Sequence, residues 1–195
     1  PFVGRSHLTK INLATMTTKN TGMNRAAVTG HTSGIGYYIK SYFESKGYEV
    51  SGYSRSTGFD ISNLDDREFI TRLSSSYDVF VNNAYNDYDD SQLEMLKSIC
   101  NEWKRSSAKT IINISSRSIL ASDPYSKTKF DLDQYCDSYK YSKLRLVNLK
   151  PGLIDTPRVR TLKGNKMCLE QIGLVLDFCM NESNDFKVHS LCFGL

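Results

Sequence analysis

The sequence predicts an α/β fold: a single doubly wound parallel sheet of about six strands with helices on both faces. Three observations carry that expectation. Short apolar runs alternate with stretches of helical period along residues 26–193, and strands separated by helices pair in parallel through right-handed crossovers. A glycine-rich turn at Gly30 to Gly36 joins the first such strand to the first such helix. The length of 195 residues suits one domain with a real core and is short for two.

Each element has its own signal. Residues 26–29 read as a strand that ends in Gly30, and residues 35–46 as a helix with Ile35, Ile39, Tyr42 and Phe43 on one stripe and Gly47 as its stop. Residues 48–53 form the second strand, and residues 64–73 a helix carrying Leu64, Phe69, Ile70 and Leu73. A strand at 78–81, a helix at 91–104, a strand at 110–114 and a long helix at 125–141 follow. The pattern closes with a strand at 144–149, a helix at 169–180 and a last strand at 188–193. Residues 1–22 have no acid and no steady period, so they are expected to be a disordered leader ahead of a domain at 23–195.

Composition excludes several classes. Lys and Arg number 25 against 21 Asp and Glu, a net charge of +4. Arg5, Lys10 and Lys19 lie in the leader, which leaves residues 23–195 nearly neutral, with little charge for the concentrated basic face usual in proteins that grip nucleic acid, so no such partner is expected. No run approaches the ~18 apolar residues of a membrane span. The five cysteines, Cys100, Cys136, Cys168, Cys179 and Cys192, are odd in number and never closely paired. They read as reduced thiols of a cytoplasmic protein, with neither a disulfide framework nor a structural zinc site. The acids in Asn86-Asp87-Tyr88-Asp89-Asp90 lack the spaced ligands of a calcium loop, so no metal site is expected.

The chemistry concentrates at the strand ends. Thr29-Gly30-His31-Thr32-Ser33-Gly34-Ile35-Gly36 provides a tight turn, a close backbone approach and a helix N-terminus, the parts that hold a pyrophosphate. His31 reads as a residue tolerant of the turn. This octet resembles the TGxxxGIG turn of the short-chain dehydrogenase/reductase family, and further family elements follow in order. Asn82-Asn83-Ala84 resembles the NNAG element, with Tyr85 in place of its glycine. Ser115-Ser116 ends the strand on which the family places its serine. Tyr125 and Lys129 match YxxxK, and Pro151-Gly152-Leu153-Ile154-Asp155-Thr156 matches PGxxxT. The resemblance spans residues 29–156 and implies a reduced, Rossmann-like member of that fold.

Tyr125 and Lys129 lie four apart, on one helix face, where an ammonium favours the phenolate and suits the tyrosine to acid/base work during hydride transfer. The resemblance gives Lys129 a second task at the nicotinamide ribose. It makes Ser116 the hydroxyl on the substrate oxygen, Ser116 being preferred to Ser115 because alternation sends the two to opposite sides. The cofactor residues it implies are Gly30, Thr32, Ser33, Gly34, Ile35 and Gly36 at the turn, and Ser54, Arg55 and Ser56 after the second strand. Asp60 and Ile61 would border the adenine, with Asn82 and Ala84, Tyr125 and Lys129, and Pro151, Gly152, Ile154 and Thr156 completing the set. Arg55 among hydroxyls, with Ser54 where NAD enzymes carry an acid, suits a 2′-phosphate and favours NADP(H) over NAD(H).

The chain departs from the family pattern in four places. The crossover after residue 55 is only a turn long, and Ser116 and Tyr125 are nine residues apart. Tyr85 replaces a glycine. The helix at 91–104 carries Asn101 but no asparagine early enough to match the family's fourth catalytic residue. Arg158, Arg160, Lys163 and Lys166 either meet an acidic substrate or keep a loop solvated. The function expected is an NADP-dependent oxidoreductase acting on a small carbonyl or alcohol through Ser116, Tyr125 and Lys129. The alternative is an NADP-binding sensor or scaffold without turnover. The resemblance further implies a homodimer or homotetramer, with neither nucleic acid nor membrane as partner.

Overall fold

The computed structural model describes residues 23–86, 89–106, 109–117, 123–139, 144–181 and 188–194, so the leader expected at 1–22 lies outside the described residues. Its strands are β1 (Arg25–Thr29), β2 (Glu49–Tyr53), β3 (Val79–Asn82), β4 (Thr110–Ile114), β5 (Arg145–Pro151) and β6 (Ser190–Phe193). Its helices are α1 (Gly34–Ser45), α2 (Leu64–Ser74), α3 (Ser91–Trp103), α4 (Pro124–Ser138) and α5 (Glu170–Met180). All strand pairs are parallel, in the order β2-β1-β3-β4-β5-β6. Chain direction across the sheet therefore reverses between β1 and β3, and the carboxyl ends there form the crevice where such sheets bind ligands.

Alternation along the strands builds two cores. Ala26 and Val28, Val79 and Val81, Ile112 and Ile114, and Val147 and Leu149 join Ile39 and Phe43 of α1 and Ile172 and Leu176 of α5. The intervening residues Ala27, Phe80, Ile111 and Leu146 face the other way, toward Ile70 of α2, Met95, Leu96, Ile99 and Trp103 of α3, and Leu132 of α4. Both faces are covered, as buried parallel strands require. Trp103, the largest fully buried side chain, stands edge-on to Phe80 and donates its indole N–H to Ser74 Oγ at 3.0 Å, which satisfies its one polar atom.

Local signals place the helix starts. Asn63 Oδ1 accepts from the backbone N–H groups of Asp65 (2.8 Å) and Asp66 (3.2 Å), capping α2. Asp123 Oδ1 accepts from Ser126 N at 3.0 Å, with Pro124 at the first helical position, so α4 begins one residue before the expected start. Helix α4 is described to Ser138, and the last two positions expected of it, 140 and 141, lie outside the described residues. Between β2 and α2 there is only a short 3₁₀ turn, Arg55–Thr57, before the chain reaches Asp60.

Candidate active site

Thr29, the last residue of β1, organises the crevice. Its hydroxyl donates to Val81 O (3.2 Å) and accepts from the backbone N–H groups of Asn83 (2.9 Å) and Ala84 (3.0 Å), which ties the exit of β3 to the glycine turn. Asn83 Nδ2 donates to Thr29 O at 3.1 Å, closing the same joint from the other side. Gly30 and Gly34 have φ of 69° and 53°, the left-handed region that glycine enters without strain. Gly36 serves by size: a Cβ there would lie 2.2 Å from Gly30 O. Ser33 occupies the N-cap of α1 without its side chain capping any N–H, and the first turn of α1 holds no acid. The helix start is left open toward the crevice, as anion binding at a helix N-terminus requires.

One cavity of about 470 Å³ runs from this turn to α4. It is lined at one end by Gly30, Thr32, Ser33, Gly34 and Ile35, and beside them by Ser54, Arg55, Ser56, Asp60 and Ile61. Hydroxyls link the two walls there: Ser56 Oγ donates to Thr32 Oγ1 at 3.1 Å, and the Ser54 and Ser56 hydroxyls lie 3.0 Å apart. Asp60 is fixed at both ends, its N–H donating to Asp66 Oδ2 (2.9 Å) and its Oδ1 accepting from Ser62 N (3.0 Å). Ala84, Tyr85, Ser115, Tyr125, Lys129, Thr156 and Arg158 line the other end.

Helix α4 delivers Tyr125 and Lys129 to this end one turn apart. Lys129 is buried, 4% exposed, with Nζ 5.6 Å from the Tyr125 ring centre and 4.7 Å from that of Tyr85. The Tyr85 ring meets that of Tyr125 edge-on at 5.0 Å, and the Arg158 guanidinium lies 5.2 Å from the Tyr85 ring centre. Tyr85 is thus an aromatic contact between two cations.

Several expected site residues stand elsewhere. Ser115, not Ser116, lines the cavity; it continues the parity of Ile111 and Asn113, the sheet face on which α4 packs. Its Oγ is buried and has no hydrogen-bond partner among the described residues. Asn82 is fully buried rather than cleft-lining, and Asn83 takes its place at the cavity wall. Asn82, Asn113 and Asn148 share one register across β3, β4 and β5. Their amides form a ladder, Asn82 Nδ2 donating to Asn113 Oδ1 (2.9 Å), Asn113 Nδ2 to Asn148 Oδ1 (2.8 Å) and Asn148 Nδ2 to Asp133 Oδ1 (2.7 Å). Pro151 belongs to β5, Gly152 packs on the Gly194 backbone and Ile154 sits in the core, so Thr156 alone of that element's named residues lines the cleft. His31 is more than a tolerant turn residue. Its ring fills the space over Gly52, where a Cβ would lie 2.3 Å from it, and burial lowers its pKa from the ordinary 6.5.

The sequence reading also passed over Gln92, in the first turn of α3, whose side chain holds Lys129 Nζ at 2.7 Å. Its only sequence signal was a polar residue on the helix face that otherwise carries Met95, Leu96 and Ile99. Among the described residues no cluster of His, Cys, Asp and Glu could hold a metal ion, and no helix is long and apolar enough to cross a membrane.

No protein-family model and no curated protein matches the sequence. Solved structures do match in fold. A short-chain dehydrogenase from Burkholderia cenocepacia in complex with NADP superposes with a TM-score of 0.73 at 19% identity, over 88% of each chain. A 3-ketoacyl-(acyl-carrier-protein) reductase from Brucella melitensis complexed with NADH gives 0.70 at 17% identity, over 87% of this chain and 95% of that one. An alcohol dehydrogenase from the archaeon Thermococcus sibiricus complexed with 5-hydroxy-NADP gives 0.69 at 16% identity, over 88% and 96%. The chain has the fold of the short-chain dehydrogenases/reductases.

Proposed function

We propose that this chain is a nicotinamide-dependent oxidoreductase that interconverts a small carbonyl and its alcohol, with NADP(H) preferred to NAD(H). The observation that carries the reading is the single cleft that joins the open start of α1 and the Arg55 turn to the Tyr125–Lys129 pair. The residues present fit a dinucleotide. The turn bears no side chain at Gly30 or Gly34, Gly34 and Ile35 at the start of α1 line the cavity with no side-chain cap on the helix, and Ser115 Oγ is buried without a partner among the described residues. When bound, the nicotinamide supplies or receives the hydride.

The chain's own residues would then act as follows. The glycine turn and the start of α1 hold the pyrophosphate, and Arg55 with Ser54 and Ser56 holds the 2′-phosphate. Asp60 and Ile61 border the adenine, and Thr156 and Ala84 border the far half of the dinucleotide. Tyr125 gives its phenolic proton to the substrate oxygen in reduction and takes it back in oxidation. Lys129 stabilises the phenolate and meets the ribose hydroxyls. The serine hydroxyl that donates to the substrate oxygen comes from the 115–116 pair, with Ser115 favoured over Ser116 by its place on the cleft wall.

The test is NADPH oxidation across a panel of aldehydes and ketones, with binding of NADPH and NADH followed by nicotinamide fluorescence. Turnover that Tyr125→Phe reduces at least about 100-fold, with nucleotide affinity retained, is the expected result. Tight binding without turnover on any carbonyl, or full activity in the phenylalanine variant, refutes it.

A further inference from the structure

Tyr85 stands where the chain leaves β3, directly after Ala84, and its half-buried ring lines the cleft at the Tyr125 end. Contacts with one stripe of α4 fix it there. The ring meets that of Tyr125 edge-on with centres 5.0 Å apart, and its centre lies 4.7 Å from Lys129 Nζ. Its hydroxyl lies 3.3 Å from Thr128 Oγ1. Thr128 gives its own proton to Tyr125 O at 2.9 Å, so Tyr85 is the donor in that pair. Positions 125, 128 and 129 share one helix face, and the ring lies along that face as a packed wall. The Arg158 guanidinium, 5.2 Å from the ring centre, adds a contact from the segment after Thr156.

This placement bears on what can reach Tyr125. A group that exchanges a proton with the phenol comes within about 3 Å of its oxygen, so the substituents of a substrate carbonyl lie close against whatever flanks the Tyr125 ring. On one flank that is Tyr85. Space is limited as well. The whole cleft, from the glycine turn to α4, measures about 470 Å³, well inside the ~300–1,000 Å³ that holds one drug-sized ligand. A dinucleotide is larger than such a ligand and takes up most of it. The Tyr85 ring occupies part of the remainder, where a glycine would leave a recess.

We infer that Tyr85 determines substrate size: its ring walls the acid/base end of the cleft, which admits carbonyl compounds with short aliphatic substituents and turns away those with an aryl group beside the carbonyl. The inference rests on the proposed function for the reaction it selects, while the wall itself is a property of the chain.

The experiment compares butan-2-one with acetophenone in two ways. One is kcat/KM with NADPH. The other is calorimetric binding of each ketone to the complex with NADP+, which cannot reduce it, so that this readout is independent of turnover. The ratio between the two ketones is taken within one protein, and a partly unfolded variant does not distort it. The unaltered chain is expected to favour butan-2-one, and Tyr85→Ala to move both ratios about 100-fold toward acetophenone. Tyr85→Phe, which keeps the ring and gives up only the bond to Thr128, is expected to keep the original ratios. Unmoved ratios in Tyr85→Ala, or an equal shift in Tyr85→Phe, overturn the inference. So does a loss confined to NADPH affinity, which would place the ring against the nucleotide instead. Should Tyr85→Ala not fold, Tyr85→Leu is expected to give a smaller shift of the same sign, and no shift overturns the inference. A shifted binding ratio without turnover of either ketone refutes the proposed function alone. Turnover with unmoved ratios refutes this inference alone, and neither binding nor turnover in any of the proteins refutes both.

Discussion

Replacing Asn113 with leucine isolates the amide ladder from the volume it occupies, because the two side chains are close in size. The substitution removes an acceptor from Asn82 Nδ2, which keeps only its bond to Gln92 O, and removes the donor to Asn148 Oδ1. Rotating the Asn148 amide offers no relief, since its nitrogen already serves Asp133. All three asparagines are fully buried, so neither orphaned group can turn to water. At about 2 kcal/mol for each buried group left unpaired, the expected loss is about 4 kcal/mol. For a domain of this length that corresponds to a fall in melting temperature of about 10 °C. Urea and thermal unfolding followed by far-UV circular dichroism measure both. Ile111→Val, in the same strand, is the control, with an expected loss of about 1 kcal/mol. A leucine variant no less stable than that control would refute the claim that the Asn82–Asn113–Asn148 amide bonds stabilise the sheet.

Three further outcomes are expected. Arg55→Ala should weaken NADPH about tenfold and NADH hardly at all, the gain from an exposed guanidinium on phosphate being modest; equal losses in a fluorescence titration remove the case for NADP. Ser115→Ala should lower single-turnover reduction about 100-fold while Ser116→Ala changes it little, and the reverse order returns the role to Ser116. His31 is held neutral by burial, so its pKa in the folded chain lies below the 6.5 of the unfolded one. Its contribution to stability is complete above that value and is lost as pH falls through it toward the folded pKa, because the unfolded chain then binds the proton more readily. His31→Asn should flatten the decline in unfolding free energy between about pH 7 and pH 5, and an unchanged slope would remove histidine burial as its cause.

The fold was legible because its signals are local and repeated. The six apolar runs became six strands, and glycines at 30 and 36 marked a turn with no room for a Cβ at either position. The Tyr125–Lys129 pair was legible for the same reason, since four residues on a helix share a face whatever the surroundings. What escaped depended on tertiary parity. Asn82 against Asn83 and Ser116 against Ser115 differ by one step along the chain, and that step decides which of each pair lines the cleft. The sequence placed both pairs at the strand ends that meet the cleft, and in each the other member lines it. Gln92 was invisible because its meaning lies in partners 10, 22 and 37 residues away. Tyr85 was seen only as a missing glycine; that its ring would lie between Lys129 and Arg158 depends on how α4 and the segment after Thr156 converge.

The ring of Tyr85 also divides the cleft by its response to ionic strength. It covers one side of the Lys129 ammonium, which is 4% exposed, and dissolved ions screen so buried a charge only weakly. Arg55, at the opposite end, is exposed, and its attraction for a phosphate weakens as the Debye length shrinks toward about 3 Å in molar salt. Added salt should therefore loosen the grip on the nucleotide's far end while leaving the influence of the ammonium on Tyr125 intact, so that affinity and proton transfer can be varied separately in one unaltered protein.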